Sequence, residues 1–315
     1  KNKIKDTGLE VTELSFGTSS LGSMPDTYGY EVPEQRAQET LKRFFQGPVN
    51  MLDTSRNYAM GESEKRIGIA IKENGGWPEN FILSTKIDRN METLVLDKKR
   101  TRESIEESLK TLNVDSVDIL FLHDPEYVKD VNDVTKKDGA LDELFKIKEE
   151  GLAKAVGLAM GKINIMFPLL KNWDFDVIIN HNRYTLLNRE ADEMYSYAHS
   201  KNISIFNAAP YAGGVLAKGP SNFKKITYQD VTEEKLAPAR EIEKVCKKYN
   251  VEMGAAALQF SMKDERVTST LCGVTSVQSI EKNLSWAETS IPEKFWDEIL
   301  KLPYSTKDPE SERKY

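Results

Sequence analysis

Cysteine is almost missing: Cys246 and Cys272 are the only two in 315 residues. So sparse a count excludes a disulfide framework, and neither residue stands in the paired spacing of a zinc site, so no metal is expected. Both fall in apolar-patterned segments, which predicts two buried, reduced thiols in a cytoplasmic protein. Long hydrophobic runs are missing too. None approaches the roughly 20 residues that cross a bilayer, so no membrane partner is expected. The opening KNKIKDTGLEVTEL lacks the apolar stretch of a secretion signal. It starts at Lys1 rather than Met, which leaves room for residues upstream. There is no basic excess. A formal net charge of −6 and a pI of about 5.4 argue against nucleic acid, whose phosphates require the opposite sign. Glycine-rich phosphate loops are also lacking. No strand candidate leads into GxGxxG, and no GxxxxGK[ST] occurs.

What remains is an ordinary globular composition, 39% hydrophobic and 30% charged, which argues against disorder. The length suits two common domains or one large α/β barrel. Short apolar runs at 13–18, 49–52, 81–85, 117–122, 153–157, 177–179, 204–206 and 267–271 alternate with longer helical stretches. Runs of this kind suit parallel strands buried on both faces. Helical patterns are clearest at 101–112, 140–150 (stopping at Gly151), 190–200, 233–249 and 276–287, the last opening on a serine cap. Eight alternations without a linker or internal repeat predict a closed (β/α)8 barrel of one domain, residues 1–315. Residues 3–5 and 10–12 flank the turn signal Asp6-Thr7-Gly8 and predict a β-hairpin closing the bottom of the barrel. The final STKDPESERKY is polar and predicts a loose tail.

Active sites of such barrels form at the C-terminal ends of the strands. The second strand ends in Asp53, the third in Lys86 and the fourth in His123, with Tyr58 on the loop after the second. Singly, Asp53 reads as a cap, Tyr58 as a half-buried loop aromatic and His123 as an interior histidine. Lys86 alone is already unusual, because a buried lysine needs a partner. Together the four point to proton transfer from a phenol. An ammonium beside Tyr58 lowers its pKa from about 10 toward working pH, and Asp53 pairs with Lys86 to keep it charged. His123 then holds the reacting oxygen. Such a site handles the proton that accompanies hydride transfer at a carbonyl or carbinol carbon, and the hydride itself requires a cofactor.

The segments GLEVTELSFGTSSLG, LDTSRNYAMGESEKRIGIAI, STKID and SIEESLKTLNVDSVDILFLH resemble the aldo-keto reductase superfamily, from about Gly8 to about Trp296. The resemblance implies a catalytic tetrad of Asp53, Tyr58, Lys86 and His123. HDPE, RYTLLNREA, AAPYAGGVLAKG and IPEKFW are similar to a sugar-oxidising branch that holds the D-threo-aldose 1-dehydrogenases, also called L-fucose dehydrogenases. That likeness implies oxidation of a free aldose at its anomeric carbon to a lactone. A general aldehyde or ketone reductase is the alternative. A nicotinamide-binding regulatory subunit is a third reading, since channel-associated subunits share the fold, although nothing in the sequence points to a membrane partner. A hydrolytic barrel is a fourth, and it lacks the carboxylate pair or metal cluster such chemistry uses.

The sequence departs from the wider family where the nicotinamide is held. Ala159 and Met160 replace the usual Ser-Asn, His181 stands near the usual Gln, and Ala208 stands near the stacking Tyr. The resemblance implies cofactor contacts from Gly17, Thr18, Ser19, Asp53, Asn180, His181, Pro210, Tyr211, Gly214, Leu216, Gly273, Val274, Thr275, Ser276, Gln278 and Asn283. Where NADP-specific relatives carry a Lys-Ser and then an Arg, this chain has Gly273, Val274 and Ser279. Neutral Thr275, Ser276 and Gln278 suit a ribose hydroxyl better than a phosphate, so the expected cofactor is NAD, with NADP possible through Lys282 or the helix amides at 276–279.

Overall fold

The apolar runs become strands. In the computed structural model, which describes residues 1–313, a hairpin of β1 (Asn2–Ile4) and β2 (Leu9–Val11) comes first. The strands β3 (Leu14–Gly17), β4 (Met51–Asp53), β5 (Ile82–Ile87), β6 (Val117–His123), β7 (Ala153–Met160), β8 (Val177–His181) and β9 (Ser204–Ala208) then follow in parallel. A small hairpin of β10 (Lys225–Ile226) and β11 (Gln229–Asp230) precedes β12 (Ser269–Gly273), which pairs with both β9 and β3 and closes the barrel. The architecture is the (β/α)8 barrel that the alternation predicts.

Side chains on a strand point alternately to its two faces, and this decides what reaches the site. On β6, Ile119 and Phe121 join the cluster inside the barrel, while Leu120 and Leu122 pack outward against the helices. Counting by twos to the strand ends puts Gly17, Asp53, Lys86, His123, Ala159, His181, Ala208 and Gly273 in one ring at the mouth. Strands β5 to β9 and β12 run one to three residues beyond the apolar segments read from the sequence. The ladder continues there, but polar and small residues of the mouth interrupt the hydrophobic signal.

The N-terminal hairpin plugs the other end. Ile4, Leu9 and Val11 are buried among Met51, Ile82, Ile119 and Val177 of the barrel interior. Its register is Asn2↔Val11 to Ile4↔Leu9, one residue earlier than the sequence suggests, with Gly8 taking the positive φ of +79° in the turn. Helix ends follow local chemistry. Lys98–Leu112 is capped by Asp97, whose carboxylate accepts from Arg100 N at 2.8 Å, and stops at Asn113 in the left-handed region. Its buried stripe includes Thr101, Ile105 and Leu112. Cys246 and Cys272 are both free and buried, and burial pushes each thiol up to about 12.

The C-terminal stretch is not loose, which corrects the expectation from its polarity. Ser305 N donates to Leu187 O at 2.9 Å, and Asn188 Nδ2 donates to Lys307 O at 2.8 Å. Glu310 is only 4% exposed and pairs at 2.6 Å with Arg183, itself 1% exposed. Asp308 meets the same guanidinium at 2.6 Å. The guanidinium packs so closely on Gly161 that a Cβ there would lie 2.6 Å from its Nη1. Residues 314–315, the last two of the expected tail, lie outside the described residues.

Candidate active site

Three neighbouring strands deliver the reactive groups. Lys86 Nζ lies 2.6 Å from Asp53 Oδ2 and also donates to Thr54 O at 2.6 Å, while Ser84 Oγ donates to Asp53 Oδ1 at 2.8 Å. Both side chains of this ion pair are 2% exposed. Tyr58 opens a short 3-10 turn, Tyr58–Gly61, in which Ala59 and Met60 take left-handed φ values of 50° and 55°. Its ring lies under the ammonium, 4.5 Å from Lys86 Nζ to the centroid, and meets His123 edge-on at 5.8 Å. The four expected catalytic side chains are thus brought to one side of the mouth.

The electrostatics differ from the sequence reading. Burial pushes the Tyr58 phenol well above its ordinary value, and the Asp53 carboxylate adds to the rise. Lys86 shares its charge with Asp53 and faces the ring, so the lowering of the phenol expected from it is not what this arrangement produces. For His123, burial opposes a positive charge, but the carboxylates of Asp124 and Asp88 outweigh it and raise the imidazole above its usual value. For Asp88, burial works upward, but His123, Ser55 and the Asn57 amide hold the carboxyl below its usual range.

Sequence reasoning missed Asp88. Its Oδ1 is 2.6 Å from His123 Nδ1, and its Oδ2 accepts from Ser55 Oγ and, at 3.0 Å, from Asn57 N. It stands two residues after Lys86, so the period of two was the signal that could have found it. Asp124, on the far side of the imidazole, sits in the left-handed region at φ 47° and brings Oδ2 to 3.6 Å from His123 Nε2.

The residues expected around a cofactor separate by parity and by prior engagement. Gly17, Asp53, His181 and Gly273 belong to the ring at the mouth. Asn180 does not. It is one residue out of phase and fully buried; its Nδ2 donates at 2.9 Å to both Met160 O and Gly161 O, while its Oδ1 has no hydrogen-bond partner. The Thr18 hydroxyl donates to Asp53 O at 2.9 Å, and the Ser19 hydroxyl meets Tyr28 OH at 2.6 Å. Leu216 and Val274 are core residues, 0% and 1% exposed. Pro210 is buried beside half-buried Tyr211 and Gly214. Tyr211 OH donates at 2.5 Å to Asn283 Oδ1, and Asn283 Nδ2 donates at 2.7 Å to Ser279 O, so this amide is already engaged. Ser276 caps helix Val277–Glu288 in a reciprocal box with Ser279, which accepts from Thr275 N and Ser276 N at 3.0 and 3.1 Å. Gln278 is exposed.

One sector of the mouth is lined by small residues. From β9 through β12 to β3 the inward residues are Ala208, Gly273 and Gly17, and a Cβ built on Gly273 meets nothing within 4 Å. This small-residue sector adjoins the Asp53–Lys86 pair, so the residues present fit a nicotinamide laid beside the reactive groups.

Comparison with known proteins agrees with this fold. The profile of the Aldo/keto reductase family matches residues 13–302. L-galactose dehydrogenase of Arabidopsis thaliana is 31% identical over 292 residues, covering 89% of this chain and 85% of that protein. D-threo-aldose 1-dehydrogenase of a Pseudomonas species is 26% identical, covering 93% and 94%. An aldo-keto reductase from Bacillus halodurans, in its holo form, superposes with a TM-score of 0.79 at 21% identity, covering 100% and 99%, and supports the fold. Among the described residues no helix is long and apolar enough to cross a membrane. The chain belongs to the aldo/keto reductase family of nicotinamide-dependent oxidoreductases.

Proposed function

We propose that this enzyme oxidises a free aldose at its anomeric carbon to a lactone, with NAD as the cofactor. The observation that carries the reading is the meeting of Tyr58, Lys86 and His123 beside a sector of the mouth lined by Gly17, Ala208 and Gly273. The likeness to L-galactose dehydrogenase and D-threo-aldose 1-dehydrogenase supports a sugar as substrate. A nicotinamide bound in the small-residue sector supplies the acceptor for hydride. Tyr58, as phenolate, would take the proton of the anomeric hydroxyl as the hydride leaves the anomeric carbon for the nicotinamide, so that the C–O bond becomes the lactone carbonyl. His123 directs Nε2 at the same oxygen and, as imidazolium, donates to it. The Asp53–Lys86 pair holds a fixed charge under the phenol and keeps water from the ring face. For the cofactor, Gly17 and Gly273 admit the ring, His181 meets its edge, and Thr275 and Gln278 offer neutral contacts to the ribose.

A second reading, an aldehyde or ketone reductase, is favoured by one observation. Tyr58 is held protonated by burial and by Asp53, and the protonated phenol is the form that reduction uses. A panel of free aldoses with NAD and with NADP, followed by absorbance of the reduced cofactor, separates the two. Turnover of aldoses supports the dehydrogenase. Rapid reduction of simple aldehydes with no aldose oxidised replaces it with the reductase.

A further inference from the structure

Asp88 lies outside the four residues of the proposed chemistry, yet it is 1% exposed and makes contacts on two sides. Its Oδ1 is 2.6 Å from His123 Nδ1. Its Oδ2 accepts from Asn57 N at 3.0 Å, the residue before Tyr58, and from Ser55 Oγ, which is also 3.2 Å from His123 Nδ1. The Asp88 backbone is itself fixed, with its N–H donating to Ser104 Oγ at 3.0 Å. A buried carboxylate with these donors accepts a proton-bearing Nδ1 and repels a bare one.

We propose that Asp88 is the positioning residue of this site: it fixes the His123 ring with Nδ1 protonated, so that Nε2 alone is presented at the mouth, and it ties the Tyr58 loop to the same anchor. The proposal rests on the reading that His123 meets the substrate oxygen. An imidazole free to rotate or to change tautomer offers that oxygen a changing partner. One whose Nδ1–H is held by a carboxylate always presents Nε2, which accepts from a substrate hydroxyl while the ring is neutral and donates to the oxygen once the ring is protonated.

The groups facing His123 are few. Asp88 and Lys86 come from β5 and its end, Tyr58 and Asp53 from β4 and its loop, Asp124 from the end of β6, and His181 from β8. Asp124 reaches Nε2 only at 3.6 Å and its side chain is 24% exposed, so it adds charge without orienting the ring. Lys86 acts against a positive imidazole, and its charge is shared with Asp53. Asp88 is the one of these in hydrogen-bond contact with Nδ1 through a buried carboxylate.

The chain has three histidines, so 15N-labelled protein without added ligand gives three resolvable imidazole systems, with His123→Gln assigning the signal. In the wild type, His123 Nδ1 is expected to stay protonated from about pH 6 to 8, a range that spans the ordinary histidine pKa. In Asp88→Asn its titration midpoint is expected to fall by about one pH unit, a tenfold loss of proton affinity. A bare Nδ1 in the wild type, or an unmoved midpoint in a folded Asp88→Asn, overturns the proposal. The wild-type spectrum decides alone if the variant does not fold. In kinetics, Asp88→Asn is expected to lower kcat at least about tenfold while the dissociation constant for NAD stays unchanged. If His123→Gln keeps full turnover, the reading of His123 as the oxygen-binding group fails, whereas the spectrum still judges the Asp88–His123 contact.

Discussion

Lys86 Nζ stands 4.5 Å from the centroid of the Tyr58 ring, and its hydrogen bonds run to Asp53 and Thr54 O. The cation therefore faces the π surface of the phenol, and the ion pair as a whole is nearly neutral. With burial and Asp53 raising its pKa, Tyr58 stays a neutral acid through physiological pH. Tyr58→Phe keeps the ring and loses the proton. Turnover is expected to fall by about 10²–10⁴-fold while cofactor binding, followed by fluorescence quenching, is retained. A variant keeping more than about a tenth of the rate of the chemical step argues against Tyr58 as the acid–base.

The same raised pKa fixes the sign of the pH dependence. Reduction uses the protonated phenol, so its rate is expected to stay level through neutrality and to decline only in strong base. Oxidation uses the phenolate, which is scarce, so its rate is expected to climb with pH. Initial rates in both directions between about pH 6 and 10 test this. An oxidation rate that is flat across that range places the phenol near or below neutrality and restores the lowering expected from Lys86.

Lys86→Met leaves Asp53 charged, buried and alone. Loss of one partner from such a pair typically costs about 3–5 kcal/mol, so urea unfolding is expected to show a drop of that order alongside lost activity. Replacing both members, as Lys86→Met with Asp53→Leu, is expected to regain most of the stability and none of the activity. Equal stability of the single variant and the wild type refutes the coupling.

Preference for NAD over NADP is expected in kcat/KM at fixed substrate. Lys282, the lysine the sequence offered for a 2′-phosphate, is paired with Glu252 at 2.6 Å and lies over the Trp286 ring. A tenfold or greater preference for NADP reverses the assignment. The group to test is then Arg36, which lines a cleft with Gln278 and Val277 at the start of helix Val277–Glu288. Arg36→Ala would reduce use of NADP more than use of NAD.

Glu310 couples the C-terminal segment to the barrel. Burial raises its carboxyl, but His181 and Arg183 more than compensate and bring it from 4.5 to about 2. A carboxyl depressed in the folded state stabilises it above the unfolded pKa, and that contribution is lost as pH falls toward about 2. Glu310→Gln is expected to lower stability by about 3 kcal/mol near neutrality, since it leaves Arg183 with fewer counter-charges. It should also flatten the part of the acid dependence below pH 4.5. Melting temperatures across that range check both effects.

The sequence alone determined the barrel, because apolar runs buried on both faces and helices buried on one carry different periods. It also marked Asp53, Lys86 and His123 as candidates, since a strand end is where an apolar run meets a reactive residue. Tyr58 followed from its distance along one loop. Those signals are local, each contained within a few residues of chain. Only the tertiary structure decided the rest. Asn180 and His181 look interchangeable in sequence, and the pleat alone turns one to the helices and the other to the mouth. Arg183 and Glu310 are 127 residues apart, so a tail that reads as loose and polar becomes a buried ion pair only when the chain is closed. Asp88 follows the end of β5 and His123 ends β6, and neither residue carries a mark of the other. The charge state of Tyr58 is not legible in the sequence for the same reason. It depends on which face of the ring the ammonium meets and how deeply the phenol is buried, and both are properties of packing in three dimensions.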